Sequence, residues 1–168
     1  MKRNIINDVS DLVLKYNTRN PFTLCDYLNI NLFMHNLGSY LKGYYLMYNN
    51  NHNIVINETL FKSEQTIVLG HELGHVMEHS FIPRAFSESN IGSLEDKIEL
   101  EANLFCAELL IPDMEILSLI DENYSFYSIC EELGFPEWLI DCKIRLLIDK
   151  GYNEFRYLYI VNRNSIRK

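Results

Sequence analysis

The four cysteines, Cys25, Cys106, Cys130 and Cys142, form no C-x-x-C pair and no metal-ligand spacing. That excludes a cysteine zinc site and a disulfide framework, and they read as small buried hydrophobes in a reducing compartment. Basic charge is also scarce. There are 15 Lys and Arg against 23 Asp and Glu, which leaves a net charge of -8 and a pI near 5.1. Such a surface does not attract a phosphate backbone, so direct nucleic-acid binding is not expected. The basic start Met1-Lys2-Arg3 has no apolar run behind it, and no later stretch is long enough to span a bilayer. Neither a secretory leader nor a membrane partner is therefore expected, and the cytoplasm is the expected location. Internal repeats, low-complexity segments and an interdomain linker are absent too.

What is present suffices for a core. With 48% hydrophobic residues in 168, the chain has the size and apolar content of one domain that folds without staples. The apolar positions Ile5, Ile6, Val9, Leu12, Val13 and Tyr16 recur at three and four, which predicts an amphipathic helix ending before Asn20-Pro21. A short helix over 22–28 and a half-buried strand over 29–34 follow. This two-helix opening could pass for a DNA-binding helix-turn-helix, but its second segment is poor in Lys and Arg, so scaffold helices are the better reading. Residues 40–48 and 54–56 read as a β-hairpin around the turn-forming cluster Asn49-Asn50-Asn51-His52-Asn53. Gly43, Tyr44 and Tyr45 would dock an extended peptide if they lay on an exposed edge. Packing of the aromatics on the sheet explains them equally well.

The chemistry lies in the next two segments. Ser63 is the expected N-cap of a helix running to about His79, and it carries His71-Glu72-Leu73-Gly74-His75. Residues four apart share a helix face, so His71 and His75 can offer two imidazoles to one metal ion, with Glu72 beside them as general base. His79 lies about 12 Å along the axis from His71, too far to share that ion. Residues 80–93 read as a loop, and a second helix runs from Leu94 to Leu110 before Pro112.

A catalytic zinc site takes a third protein ligand, and Glu99 and Glu101 both lie on that helix. Counting by three and four from Glu99 gives Ala102, Asn103, Cys106 and Leu110, a face of small and apolar residues that can approach a neighbour closely. From Glu101 the count gives the bulkier Leu104, Phe105 and Glu108. Glu99 is therefore the expected ligand, Gly70 and Gly74 permit the approach, and Asn103 can hold a ligand histidine in one tautomer. Tyr44, Tyr45 or a histidine could donate to the oxyanion. His35 and His52 have no metal spacing, and Glu78, Glu95 and Asp96 read as solvated charges. Helices over 114–120, 124–133 and 137–148 and an alternating strand over 155–161 complete the reading. The expected organisation is a single domain over 1–168, with helical segments at 1–38 and 113–168 flanking a catalytic core at 39–112.

With both blocks in view, His71-Glu72-Leu73-Gly74-His75-Val76-Met77-Glu78-His79 and Glu99-Leu100-Glu101-Ala102-Asn103-Leu104-Phe105-Cys106-Ala107-Glu108-Leu109-Leu110-Ile111-Pro112, the sequence resembles the ImmA/IrrE family of zinc metallopeptidases. It departs from that family's second block by Cys106 where alanine is usual. The resemblance implies an α+β fold, a zincin-like (gluzincin-like) domain that is mostly helical with a small β-sheet or hairpin. It implies one Zn2+ ion on His71, His75 and Glu99, with Glu72 as catalytic base. It further implies an anti-repressor of a phage or integrative element that cleaves a helix-turn-helix repressor. The alternative is a regulatory binding module with a structural zinc site. A deformylase-like amide hydrolase lacks its expected Cys and Gly-rich blocks here.

Overall fold

The computed structural model describes residues 5–79, 84–87 and 94–152, with 84–87 and 94–96 described by their backbone alone. The chain divides into two compact units, Met1–Leu110 and Ile111–Lys168.

In the first unit, α1 (Ile5–Tyr16) buries Ile5, Val9 and Leu12 on one stripe, as the spacing predicts. Next comes α2 (Pro21–Tyr27), where the Asn20 side chain accepts from the Phe22 and Thr23 amides and Pro21 occupies the first turn. Four strands follow: β1 (Asn31–His35), β2 (Leu41–Tyr48), β3 (Asn51–Asn57) and, after the long helix α3, β4 (Arg84–Ser87), in the sheet order β1-β3-β2-β4. β1 runs parallel to β3, and β2 runs antiparallel to both β3 and β4. The hairpin turn is tighter than expected. Only Asn49 and Asn50 lie outside the strands, at φ 49° and 60°, the left-handed pair that matches the twist of two antiparallel strands.

β2 is an interior strand, paired with β3 and β4 on both sides at Gly43, Tyr44 and Tyr45, so the condition for a peptide-docking edge there is not met. The strand at 84–87 corrects the loop expected over 80–93. Asn57, the last residue of β3, closes the sheet toward the helix. It is 2% exposed, its amide donates to the carbonyls of Gly38 and Leu41, and its oxygen accepts from Leu37 and Thr59.

Helix α3 (Lys62–His79) starts two residues earlier than the Ser63 cap would set. The Phe61 amide donates to Glu64 Oε2 at 3.2 Å, the reach-back half of a capping box. Every residue from Val68 to Val76 is buried, so α3 is the central helix, in contact with the sheet, α2 and α4 (Leu94–Leu110). Leu24, Tyr45, Ile54, Ile56, Leu69 and Phe105 belong to the core around it. Arg19 donates to the carbonyls of Glu108 and Leu109, satisfying the end of α4.

The second unit holds α5 (Asp113–Asp121), α6 (Phe126–Leu133) and α7 (Glu137–Asp149). α6 begins at the Ser125 cap and ends at Gly134, φ 68°. Lys143 of α7 is fully buried and pairs with Asp113, which Lys150 also reaches. Burial alone would raise the Asp113 carboxyl, but the two ammonium groups outweigh it and hold the pKa below the usual range. The strand expected over 155–161 lies outside the described residues. Among them, no helix is long and apolar enough to cross a membrane.

Candidate metal centre

The site lies within the first unit, where α3 meets α4. Two glycines bring the helices together. A Cβ on Gly74 would stand 3.0 Å from both Cα and O of Ala102, and one on Gly70 would meet Cys106 Sγ at 3.0 Å and Leu110 Cδ1 at 3.3 Å. Gly70 facing 106–110 and Gly74 facing 102–105 means that the helices run antiparallel. The small face expected of α4 is present, although Phe105 also packs on Gly74 and is wholly buried. Gly74→Ala is expected to destabilise the protein. Overpacking against a rigid backbone costs about 1–3 kcal/mol and outweighs the ~1 kcal/mol gained in helix propensity. Gly70→Ala meets side chains that can rotate away and should be near neutral. Denaturant unfolding of the two variants checks this, and equal effects would contradict the backbone contact.

At this crossing His71 Nε2 and His75 Nε2 stand 3.0 Å apart. Glu99 Oε2 lies 3.3 Å from His71 Nε2, and Glu99 Oε1 lies 3.5 Å from His75 Nε2. Ligand atoms about 2.0–2.2 Å from one zinc ion stand roughly 3.3–3.6 Å apart on a tetrahedron. Two imidazole nitrogens and a carboxylate thus converge at nearly the spacing that one ion imposes, and the three residues could hold a metal. His71 and His75 are buried, and the Glu99 side chain is 13% exposed. On the other side of His71, Nδ1 sits 2.8 Å from Asn103 Oδ1. An amide oxygen only accepts, so Nδ1 carries the proton and the Nε2 lone pair is left to face the site.

Charge follows the same geometry. Burial opposes ionisation of Glu99, but hydrogen bonds and charge from His71 and His75 overcome it and hold its pKa well below the usual carboxylate range. His75 is pushed down, mainly by burial. Glu72 is wholly buried, and neither of its oxygens has a hydrogen-bond partner among the described residues. Burial raises its pKa well above the ordinary value, the Glu99 charge adds to that, and the Tyr45 backbone amide draws it back a little without meeting hydrogen-bond geometry. A fully buried carboxylate without a partner is costly in a core helix, and a cation or an incoming proton is what would satisfy it. The donor set and these orphaned oxygens fit a zinc ion.

Several expectations need correction. Glu78 is not a solvated charge: it is 3% exposed and lines a cavity of about 300 Å³ with Asp8, Asp11, Lys15, Tyr16 and Met77. The Glu95 and Asp96 side chains lie outside the described residues. Tyr45 is buried, with its hydroxyl 2.9 Å from His52 Nδ1, which removes it as an oxyanion donor, and Tyr44 belongs to the opposite face of β2. Glu101 contacts His79 instead, at 3.1 Å. No cysteine belongs to the His71, His75 and Glu99 cluster, and Cys130 is only half buried. Burial pushes Cys25 and Cys142 up to about 12. Neither is a thiolate ligand at neutral pH.

The family model described as the IrrE N-terminal-like domain, a peptidase family, matches residues 25–138. A protein of Bacillus phage phi105 with the name uncharacterized immunity region protein 2 is 36% identical over 135 residues, covering 80% of this chain and 85% of that protein. Metallopeptidase ImmA of Bacillus subtilis (strain 168) is 29% identical over 149 residues, covering 84% of this chain and 85% of its own length. The two sequence blocks, the His71, His75 and Glu99 cluster between them, and these matches agree: the chain belongs to the ImmA/IrrE family of metallopeptidases, through its IrrE N-terminal-like domain.

Proposed function

We propose that the protein is a zinc-dependent endopeptidase in which His71, His75 and Glu99 hold one zinc ion and Glu72 is the catalytic base. The observation that carries this reading is the convergence of two imidazole nitrogens and a carboxylate at 3.0–3.5 Å beside a buried carboxylate with no hydrogen-bond partner among the described residues. A zinc ion held there would supply Lewis acidity, polarising a peptide carbonyl and making water acidic enough to attack it near neutral pH. Glu72 takes the proton of the attacking water onto its carboxylate and hands it to the departing amine. Its burial raises its affinity for that proton. Asn103 keeps the His71 ring turned to the site, and Glu99 supplies the negative charge that the histidines lack.

The substrate in this reading is a protein, a helix-turn-helix transcriptional repressor, and its cleavage relieves repression of a mobile element. Two things support that class: the resemblance of both sequence blocks to anti-repressor members of the family, and relatives whose names place one in a phage immunity region and call the other a metallopeptidase. Stripping the protein with a chelator and restoring zinc tests the metal requirement. Cleavage of a candidate helix-turn-helix repressor should stop and then return at a single equivalent of zinc per chain. Fragments that persist in the metal-free protein would overturn the proposal.

A further inference from the structure

On α4, Ala102 rests on Gly74 with no side chain between the two backbones. Such a contact fixes the distance between the helices but does not stop α4 from rolling about its own axis. A helix turns about 100° per residue, so Glu99 lies about 60° to one side of Ala102 and Glu101 about 100° to the other. Each carboxylate meets histidines of α3 on its own side of the contact line. Glu99 stands 3.3 and 3.5 Å from His71 and His75, and Glu101 stands 3.1 Å from His79 Nε2. The His79 ring in turn lies 6.3 Å from the His75 ring, and the His79 and Glu101 side chains are only 12% and 23% exposed.

We infer that the His79–Glu101 contact is a brace that sets the roll of α4 and so positions Glu99 for the metal. This inference rests on the reading of His71, His75 and Glu99 as zinc ligands. The magnitude makes the brace matter. At a side-chain radius of about 5–6 Å, a roll of about 10° moves a carboxylate by about 1 Å, whereas a metal-ligand distance tolerates about 0.2 Å. His79 is one helical repeat beyond His75 and cannot join the same ion; its partner across the helix pair gives it a different task. Lys97 touches the same Glu101 carboxylate at 3.8 Å, but it is 73% exposed and reaches it along α4 itself, so it does not restrain the roll.

The test is the zinc affinity of the full chain, measured by competition with a chromophoric chelator, with the melting temperature of each metal-free protein recorded alongside. His79→Ala and Glu101→Gln should each weaken zinc binding about tenfold, the scale at which groups that orient ligands act. The double variant should lose no more than either single one, and the exchanged pair, His79→Glu with Glu101→His, should recover affinity. Lys97→Ala should bind as wild type does. Unchanged affinity in the single variants would overturn the brace. So would additive losses in the double variant, an exchanged pair that stays weak, or losses that follow the metal-free melting temperature across all variants including Lys97→Ala. A wild-type chain that binds no zinc would instead overturn the reading of the site itself.

Discussion

Replacing Glu99 with alanine is expected to strip zinc from the protein, and replacing Glu101 with alanine is expected to weaken zinc binding far less. Structural zinc sites bind with roughly 10–16 kcal/mol shared among four ligands, so one ligand carries on the order of 3–4 kcal/mol, or roughly 10²–10³-fold in affinity. Glu99 faces both histidine nitrogens within 3.5 Å, whereas Glu101 contacts His79 and Lys97. Metal analysis of the two purified variants separates them, and a larger loss in the Glu101 variant would reverse the ligand assignment. Removing Glu99 also removes the group whose hydrogen bonds and charge balance two buried histidines. The metal-free Glu99→Ala protein should therefore keep its fold while the His71 and His75 rings lose their shared partner.

The second large effect belongs to Glu72→Gln. The amide keeps the shape of the side chain but cannot take a proton, so turnover should fall by roughly 10²–10⁴-fold while zinc remains bound. A second consequence separates this variant from a simple active-site lesion. In the metal-free protein the Glu72 pKa is raised above its ordinary 4.5, first by burial and then by the Glu99 charge. A carboxyl whose folded pKa lies above its unfolded value contributes stability that is complete below the unfolded pKa and is lost as pH rises through the folded one. As pH rises from 4.5, the melting temperature of the metal-free wild type should thus fall relative to that of Glu72→Gln. Parallel pH profiles for the two proteins would contradict the buried, unpartnered carboxylate.

Much of this site is legible in the chain because each part leaves a local mark. The spacing of His71, Glu72 and His75 is a helix-face pattern, and the small residues at 102 and 106 foretell a close helix contact, which Gly70 and Gly74 complete. The limits of α1 and α4 follow from three-and-four periodicity and from Pro112. Where the reading fails, the deciding partner is distant in sequence. Arg84–Ser87 has little strand pattern of its own and becomes β4 by pairing with β2. Asn57 resembles any turn asparagine until the residues at 37, 38, 41 and 59 gather round it. Glu78 carries a charge on the motif helix, and only the packing of α1 reveals that it is buried. Lys143 sits in an apolar stretch of α7 and is explained by Asp113, thirty residues earlier. Ser63 competes as a cap because its type is right, yet Glu64 reaching back to Phe61 sets the helix start. His79 and Glu101 belong to this class too: each looks like a surface residue until α3 and α4 are laid together.

The central claim is that this chain cuts a protein by means of Glu72 and a metal held by His71, His75 and Glu99. Mass spectrometry of a candidate helix-turn-helix repressor after incubation with zinc-loaded wild type or Glu72→Gln tests it most directly. The account predicts two new fragments that meet at a single peptide bond with wild type, and intact repressor with the variant. Repressor that loses its function equally with both proteins and stays at full mass in each would contradict it.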